Sequence, residues 1–189
     1  AQIPFSGAED YPTLRPLENP TVIRMKGSVL AEGINSTLYA TGDEELRPVL
    51  NGIYFDIDTE STTLVASNAN KLVYYRRHDI KSEAPVAFIL PKKPANILKA
   101  NLAKAMDEEV EITFDSSKNA YFKFNSFLVF CKLIEGTYPA YKSVIPKNNT
   151  NVITVSRTEL LNATKRVSVC SNQATGQIVF KLSMNQITI

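Results

Sequence analysis

The chain has 189 residues, of which 44% are hydrophobic and 21% charged, and its formal net charge is only +2. This composition is ordinary for a globular protein, and overall basicity gives no sign of a nucleic-acid partner. No apolar run approaches the roughly 18 residues that span a bilayer. The start, AQIPFSGAED, also lacks the basic flank and apolar stretch of a signal peptide, so we expect a cytoplasmic location.

After Pro20, the alternation of apolar and polar residues predicts one order of elements, β-α-β-β-β, written twice. The first copy runs from the strand VIRM through the helix KGSVLAEGINSTLYAT to the strands GIYFDI, TTLVAS and KLVYYR. The second runs from VAFIL through the helix PANILKANLAKAM, which has a proline in its first turn, to EVEITF, NAYFKF and FLVFCKLI.

A third copy begins after Asn149 with the strand NVITV, the helix SRTELLNATKRVSVCS and the strand QIVFKLS. Ser156 is placed to cap this helix, with Glu159 at the capping-box spacing. Tyr-Pro pairs at Tyr11 and Tyr138 recur at a domain-sized period of roughly 125 to 130 residues. We therefore expect residues 1–20 to be the tail of one domain, 21–146 a complete domain and 147–189 the opening part of the next, in a fragment of a longer protein.

Residues typical of catalysis and metal binding are scarce. The chain has one histidine, His78, which we expect in a solvated turn, and no glycine-rich phosphate loop or G-x-S-x-G motif. Cys131 and Cys170 show no CxxC spacing, and we expect two buried or half-buried free thiols. The sequence thus predicts no catalytic site, no metal site and no cofactor. An unrecognised enzyme built from generic residues stays a rival interpretation.

Two of the predicted helices carry clustered positive charge, and in the helix 94–106 no acidic residue interrupts it. On the helix 94–106, the residues Ile97, Leu98, Leu102 and Ala105 gather on one side, and lysines occupy the other. Surface helices often carry lysines for solubility alone, but lysines on equivalent helices of a repeat also suit sequence-independent attraction to phosphates. The candidate DNA-facing residues are Lys92, Lys93, Lys99 and Lys104, with Arg157, Lys165 and Arg166 on the third-copy helix, beside the apolar stripe Leu160, Thr164 and Val167.

A second candidate surface is an apolar depression formed near strand ends. These positions need not be buried in the core, because they lie near strand ends or in turns. They are Leu50, the turn SNANKL from Ser67 to Leu72, and Pro139 with Val144. The pattern is equally compatible with residues that only pack a domain junction.

Four segments, in this order and spacing, resemble the bacterial DNA polymerase III beta subunit family, the sliding clamps: LRPVLNGIYFDI, TLVASNANKLVYY, APVAFILPKK and FCKLIEGTYPAYKSVIPKNN. The resemblance implies an α+β DNA-clamp fold with two β-α-β-β-β halves per domain and helices on one face of antiparallel sheets. It also implies a non-catalytic homodimeric ring around duplex DNA. Its partners would be the replicative polymerase, the clamp loader and repair proteins.

In this family a hydrophobic pocket takes a short peptide motif from those partners. Carried over by position, its wall would be Leu50, Ser67, Ala69, Asn70, Lys71, Leu72, Pro139, Ser143 and Val144. The family often has His where Asn70 stands and Arg where Ser143 stands, so the polar rim and the preferred peptide are expected to differ. A secreted β-rich adhesion module using the sequons at Asn35, Asn149 and Asn162 is the rival from another class.

Overall fold

The structure of the protein is a computed structural model that describes Gly7, Leu14, residues 16–172 and residues 175–189. It divides into two compact units, Ala1–Lys142 and Ser143–Ile189. The Tyr11-Pro12 pair and most of the predicted domain tail 1–20 lie outside the described residues. The predicted assignment of 1–20, 21–146 and 147–189 to three successive domains stays a prediction.

The first unit contains the predicted β-α-β-β-β order twice. The first half comprises β1 (Thr21–Lys26), α1 (Gly27–Thr37), β2 (Gly52–Ile57), β3 (Thr62–Ser67) and β4 (Leu72–Arg77). The second half comprises β5 (Val86–Pro91), α2 (Lys92–Leu102), β6 (Glu109–Phe114), β7 (Asn119–Phe124) and β8 (Phe127–Lys132). Single turns of 3₁₀ helix occur at Leu38–Ala40, Pro48–Leu50 and Tyr141–Ser143.

The two halves exchange strands. One antiparallel sheet has the order β4-β3-β2-β5 and the other the order β1-β6-β7-β8, so each sheet contains a strand from the other half. Phe55 of β2 lies opposite Phe88 of β5, and Ile23 of β1 lies opposite Ile112 of β6. Because period-two alternation defines only the faces of a strand, the choice of partner strand depends on these long-range pairs.

Both helices pack on the same side of the sheets. α1 contacts β3 and β4, α2 contacts β2, β5 and β8, and the two helices contact each other. In β2 the helix-facing residues Ile53, Phe55 and Ile57 are fully buried, whereas Tyr54 and Asp56 on the opposite face are only partly covered. The expected α+β fold with helices on one face of antiparallel sheets is confirmed.

Gly27 lies at a close approach between the two halves. A Cβ atom at this position would lie 2.0 Å from the carbonyl oxygen of Ala105, a distance at which atoms overlap. The amide of Gly27 donates to the carbonyl of Glu108 at 2.8 Å, and that of Ser28 donates to Met106 at 2.8 Å. The start of α1 is therefore hydrogen-bonded to the segment that follows α2, and only glycine fits there.

The boundaries and buried face of α2 differ from the prediction. The helix begins at Lys92, two residues before Pro94, because the first turn of a helix leaves its amides unbonded and so tolerates proline. Ala95, Leu98 and Leu102 form its buried face. The prediction that Ile97 belongs to this face is wrong. Ile97 is 50% exposed because each position rotates about 100° from the one before it.

The second unit contains α3 (Arg157–Ser168) and a hairpin of β9 (Lys181–Ser183) and β10 (Gln186–Thr188). The Ser156 cap is confirmed, since its hydroxyl accepts from the amide of Glu159. The predicted strand NVITV is irregular, because no described segment pairs with it. Of the predicted strand QIVFKLS, only the last three residues form a ladder.

The two cysteines have different surroundings. Cys131 is buried, and burial raises the pKa of its thiol to about 12, so at neutral pH it is an uncharged apolar group. Cys170 follows α3, a helix with no buried residue, and is exposed. Both thiols are free as expected, but the expectation that both are at least half-buried is wrong for Cys170.

Neighbouring residues of α2 provide a matched test of the core. We expect Leu98→Ala to lower the free energy of unfolding by about 2–5 kcal/mol, because it leaves a cavity in a fully buried site. Ile97 is half-exposed, so Ile97→Ala should lower the free energy of unfolding by less than about 1 kcal/mol. Urea denaturation followed by circular dichroism measures both. Equal losses would contradict the orientation of α2.

Candidate functional site

The exposed side of α2 and the turn that follows it carry the lysine face, which we define as Lys93 and Lys99 of the helix and Lys104 of the turn. All three side chains are exposed, and the small residues Ala100 and Ala103 beside them are exposed too. No carboxylate of the described residues forms an ion pair with any of the three. The lysine face is therefore a surface of uncompensated positive charge with room for a broad polyanion to approach.

Lys92 differs from the other predicted DNA-facing lysines. Its ammonium forms an ion pair with Asp43 at 2.5 Å, and its side chain is 36% exposed. This pair lies across the start of α2 and neutralises the charge of Lys92 locally. Lys92 is therefore a weaker candidate for phosphate contact than the lysine face.

A crevice of about 370 Å³ separates α1 from α2 beside the lysine face. Its lining is mostly apolar or uncharged, with Lys99 on one side and Glu32 on the other: Ala31, Glu32, Asn35, Ser36, Lys99, Ala103 and Met106. Between Gly27 and Thr37, α1 contributes no basic residue. The positive charge of this surface thus comes from α2.

In the second unit, the predicted basic residues Arg157, Lys165 and Arg166 are exposed on α3. The least exposed residues of this helix include Leu160, Thr164 and Val167, which agrees with the predicted apolar stripe. α3 therefore has the same division into a basic and a less exposed side as α2.

The turn between β3 and β4 is closed by its own side chains. The hydroxyl of Ser67 donates to the carbonyl of Lys71 at 2.9 Å and accepts from the amide of Ala69 at 3.1 Å. The carboxamide oxygen of Asn68 accepts from the amides of Asn70 and Lys71. Ala69 has a φ of +70°, a left-handed conformation that is costly for a residue with a Cβ. Ser67 and Asn68 are thereby committed to the turn, and Asn70 and Lys71 face solvent.

Strand register relates two of the other predicted pocket residues of the first unit, Leu72 and Leu50, to this turn. Leu72 lies opposite Ser67 in the β3–β4 ladder. If the β2–β3 register is extended by two residues, Gly52 lies opposite Ser67. Leu50 is two positions before Gly52 in the chain. Leu72 is half-buried and Pro139 is exposed. Leu50 is only 5% exposed, so in the predicted pocket it would form the floor and not part of the wall.

A tyrosine cluster covers the outer face of the sheet and was missed by sequence reasoning. Tyr138 stacks on Tyr54 with ring centres 4.7 Å apart and nearly parallel planes. The Tyr141 hydroxyl donates to the carboxylate of Asp56 at 2.9 Å, and the Lys142 ammonium lies 3.1 Å from the same oxygen. The repeated Tyr-Pro pair was the available signal, but it was interpreted only as a domain marker.

The two tyrosine hydroxyls of this cluster have different surroundings. Burial raises the pKa of Tyr138 to about 12, an effect that the nearby backbone of Ser67 opposes. Its hydroxyl makes no hydrogen bond to any described residue. Burial and the hydrogen bond to Asp56 also raise the pKa of Tyr141. Both phenols therefore remain protonated at neutral pH, but only Tyr141 has a partner.

The residue types that commonly hold metal ions are dispersed in the described part of the chain. The described residues include no group of three or more His, Cys, Asp or Glu side chains that could hold a metal ion. His78 is exposed in the turn after β4, as predicted. No helix in the described part of the chain is both long and apolar enough to cross a membrane.

Residues 24–140 match the family model of the DNA polymerase III beta subunit, central domain. The chain belongs to this family. The match covers well over half of the chain and includes both halves of the first unit. The resemblance inferred from the four sequence segments is confirmed.

Curated and solved relatives of the family agree. The beta sliding clamp of Halalkalibacterium halodurans is 28% identical over 176 residues, which are 90% of this chain and 45% of that protein. A sliding clamp structure from Bartonella birtlesii has a TM-score of 0.83 at 28% identity and covers 94% of this chain and 49% of its own. A Pseudomonas aeruginosa clamp, at 24% identity, shows the same fold with a TM-score of 0.86 and covers 95% and 48%. The chain spans about half the length of the beta clamps that it matches.

The nine predicted pocket positions of the beta clamp family fall in both units. Leu50, the turn residues and Pro139 belong to the first unit, and Ser143 and Val144 to the second. Within the first unit, Leu72 pairs with Ser67 across the turn. The complete pocket stays a prediction.

The tyrosine cluster gives a test with opposite signs. We expect Tyr138→Phe to raise the free energy of unfolding by about 1 kcal/mol, because it removes a buried hydroxyl without a partner. Tyr141→Phe should lower it by about 1 kcal/mol, because Asp56 loses a hydrogen bond. Denaturant titration of the two variants measures both. A loss of stability for Tyr138→Phe would show that its hydroxyl has a stabilising partner.

Proposed function

We propose that this chain serves as part of a sliding clamp, a processivity factor that encircles duplex DNA and tethers the replicative polymerase without catalysing a reaction. The observation that carries the proposal is the match of residues 24–140 to the central domain of the DNA polymerase III beta subunit. The clamp fold of the first unit and the uncompensated lysine face support it.

The lysine face supports a role in holding DNA without reading its sequence. Lysine ammonium groups on a flexible stem attract phosphates as point charges, and base readout requires fixed hydrogen-bonding forks that α2 does not provide. Small residues between the lysines let a broad polyanion come near. A clamp that slides needs this kind of attraction, because strong base contacts would stop it.

The turn between β3 and β4, with Leu50, Leu72 and Pro139 near it, supports a peptide-binding pocket. Ser143 and Val144 would complete it, as the family resemblance implies. The partners in this proposal are the replicative polymerase, the clamp loader and repair proteins, each through a short motif. The full-length protein would form a homodimeric ring in the cytoplasm, with residues 21–146 as its second domain.

The central test is topological. The complete reading frame that contains this chain would be loaded onto nicked circular DNA by the clamp loader of the same genome. After cleavage of the circle to a linear form, we expect the protein to be lost rapidly by sliding off the ends. Equal retention on circular and linear DNA would contradict encirclement.

The lysine face can be tested by charge reversal. We expect Lys93→Glu/Lys104→Glu to weaken duplex binding and to reduce the salt slope of log K by about 1 for each lost phosphate contact. The matched control, Lys81→Glu/Lys123→Glu, makes the same charge change at exposed positions elsewhere in the first unit. Fluorescence anisotropy at several salt concentrations measures both. An equal loss of duplex affinity in both variants would show that net charge, and not the lysine face, determines binding.

The peptide site should depend on apolar contact. Each large apolar side chain that a peptide buries contributes about 1.5–3 kcal/mol, so Leu72→Asp, which puts a charge on the docking surface, should reduce affinity at least about tenfold. Lys99→Glu/Lys104→Glu should leave peptide affinity nearly unchanged. Titration of a polymerase-derived peptide against the complete protein measures both. The reverse pattern would show that the two surfaces are wrongly assigned.

A further inference from the structure

Tyr39 is an aromatic side chain held out in solvent by a rigid support. It lies in the single 3₁₀ turn after α1, where its neighbours Leu38 and Ala40 are 6% and 0% exposed, whereas Tyr39 itself is 64% exposed. The hydroxyl of Thr37 donates to the carbonyl of Gly33, and that of Thr41 donates to Leu38, so the turn is fixed at both ends. The face of an aromatic ring on a fixed backbone can hold a cation in one place.

Lys71 places its charge on this platform. Its ammonium lies 5.7 Å from the centre of the Tyr39 ring, within the range of a cation–π contact. Its backbone is held from both sides, since its amide donates to Asn68 and its carbonyl accepts from Ser67. The ring contact limits where the long side chain can swing, and the remaining N–H donors of the ammonium stay available.

Lys71 is the one residue with a formal charge between Ser67 and Leu72. No carboxylate of the described residues forms an ion pair with it. The side chains of Ser67 and Asn68 are occupied within the turn, which leaves Lys71 as the strongest donor beside the apolar floor. Leu72, the next residue, is half-buried, so a ligand side chain docked on Leu72 has its own neighbours within reach of Lys71.

We propose that Tyr39 and Lys71 form a carboxylate-binding rim of the peptide site and select peptides that carry an acidic side chain or a free C-terminal carboxylate beside the apolar anchor. This inference rests on the proposed peptide-binding function. Tyr39 acts through Lys71 as a positioning residue, and Lys71 makes the contact.

The experiment uses the complete protein and a fluorescein-labelled peptide from the replicative polymerase of the same genome. One pair of peptides has Glu or Gln next to the apolar residues, and a second pair has a C-terminal acid or amide. At low salt we expect the acidic member of at least one pair to bind about three- to fivefold tighter, with the difference shrinking at high salt because the contact is exposed. The pair that shows the difference identifies the source of the carboxylate.

Four variants separate the rim from general effects. Lys71→Met should abolish the preference between acidic and neutral peptides, measured as the ratio of the two affinities within that variant. Tyr39→Leu should reduce the preference and Tyr39→Phe should keep it, because phenylalanine retains the ring that holds the ammonium. Lys81→Met removes the same charge from an exposed position outside the turn and should change nothing.

The outcomes are distinguishable. No preference in the wild-type protein, or a preference that survives Lys71→Met, overturns the rim while the peptide site stands. If Lys71→Met abolishes the preference and Tyr39→Leu does not change it, Lys71 acts without Tyr39, and the proposed role of Tyr39 is wrong. Failure of every peptide to bind overturns the peptide site itself, and the rim with it.

Discussion

The exchange of strands between the two halves of the first unit is the constraint on which the rest of the structure depends. Because β2 pairs with β5 and β1 pairs with β6, neither half has a complete sheet of its own. The same exchange brings α1 and α2 side by side over one shared core. Gly27 tightens this arrangement, since its missing side chain lets the start of α1 approach the end of α2.

This frame separates two kinds of surface. The helices lie on one side of the sheets and display the lysine face, where attraction is long-ranged and insensitive to shape. The turn after β3 and the tyrosine cluster form another surface, where apolar contact and fixed hydrogen bonds make shape decisive. The proposed function needs both properties at once, and the strand order keeps them apart, so a change on one surface need not disturb the other.

Local patterns predicted most of the elements but not how they associate. β2, β6 and β7 alternate in the sequence and β3 is a short run bounded by turn residues, so the bounds of all four could be predicted to within about a residue. The exchange of β1 and β5 could not, because it depends on partners far away in the chain. Ile97 was misplaced because its position is set by which side of α2 meets the sheet. Leu50 and the turn that contains Lys71 could be identified from their places near strand ends, and the resemblance added a pocket role. Tyr39 became visible only once the 3₁₀ turn showed which of its residues is buried.

The pairing of β1 with β6 also bears on how the chain is synthesised. Arg24 and its partner Glu111 are separated by 87 positions. A ribosome adding about 5–20 residues per second therefore leaves β1 without its ladder for roughly 4 to 17 seconds. During that time its backbone groups are open to pairing with other strands, including those of neighbouring nascent chains. A translational pause before residue 109 would lengthen this exposure, whereas a pause after residue 114 would give β1 and β6 time to pair.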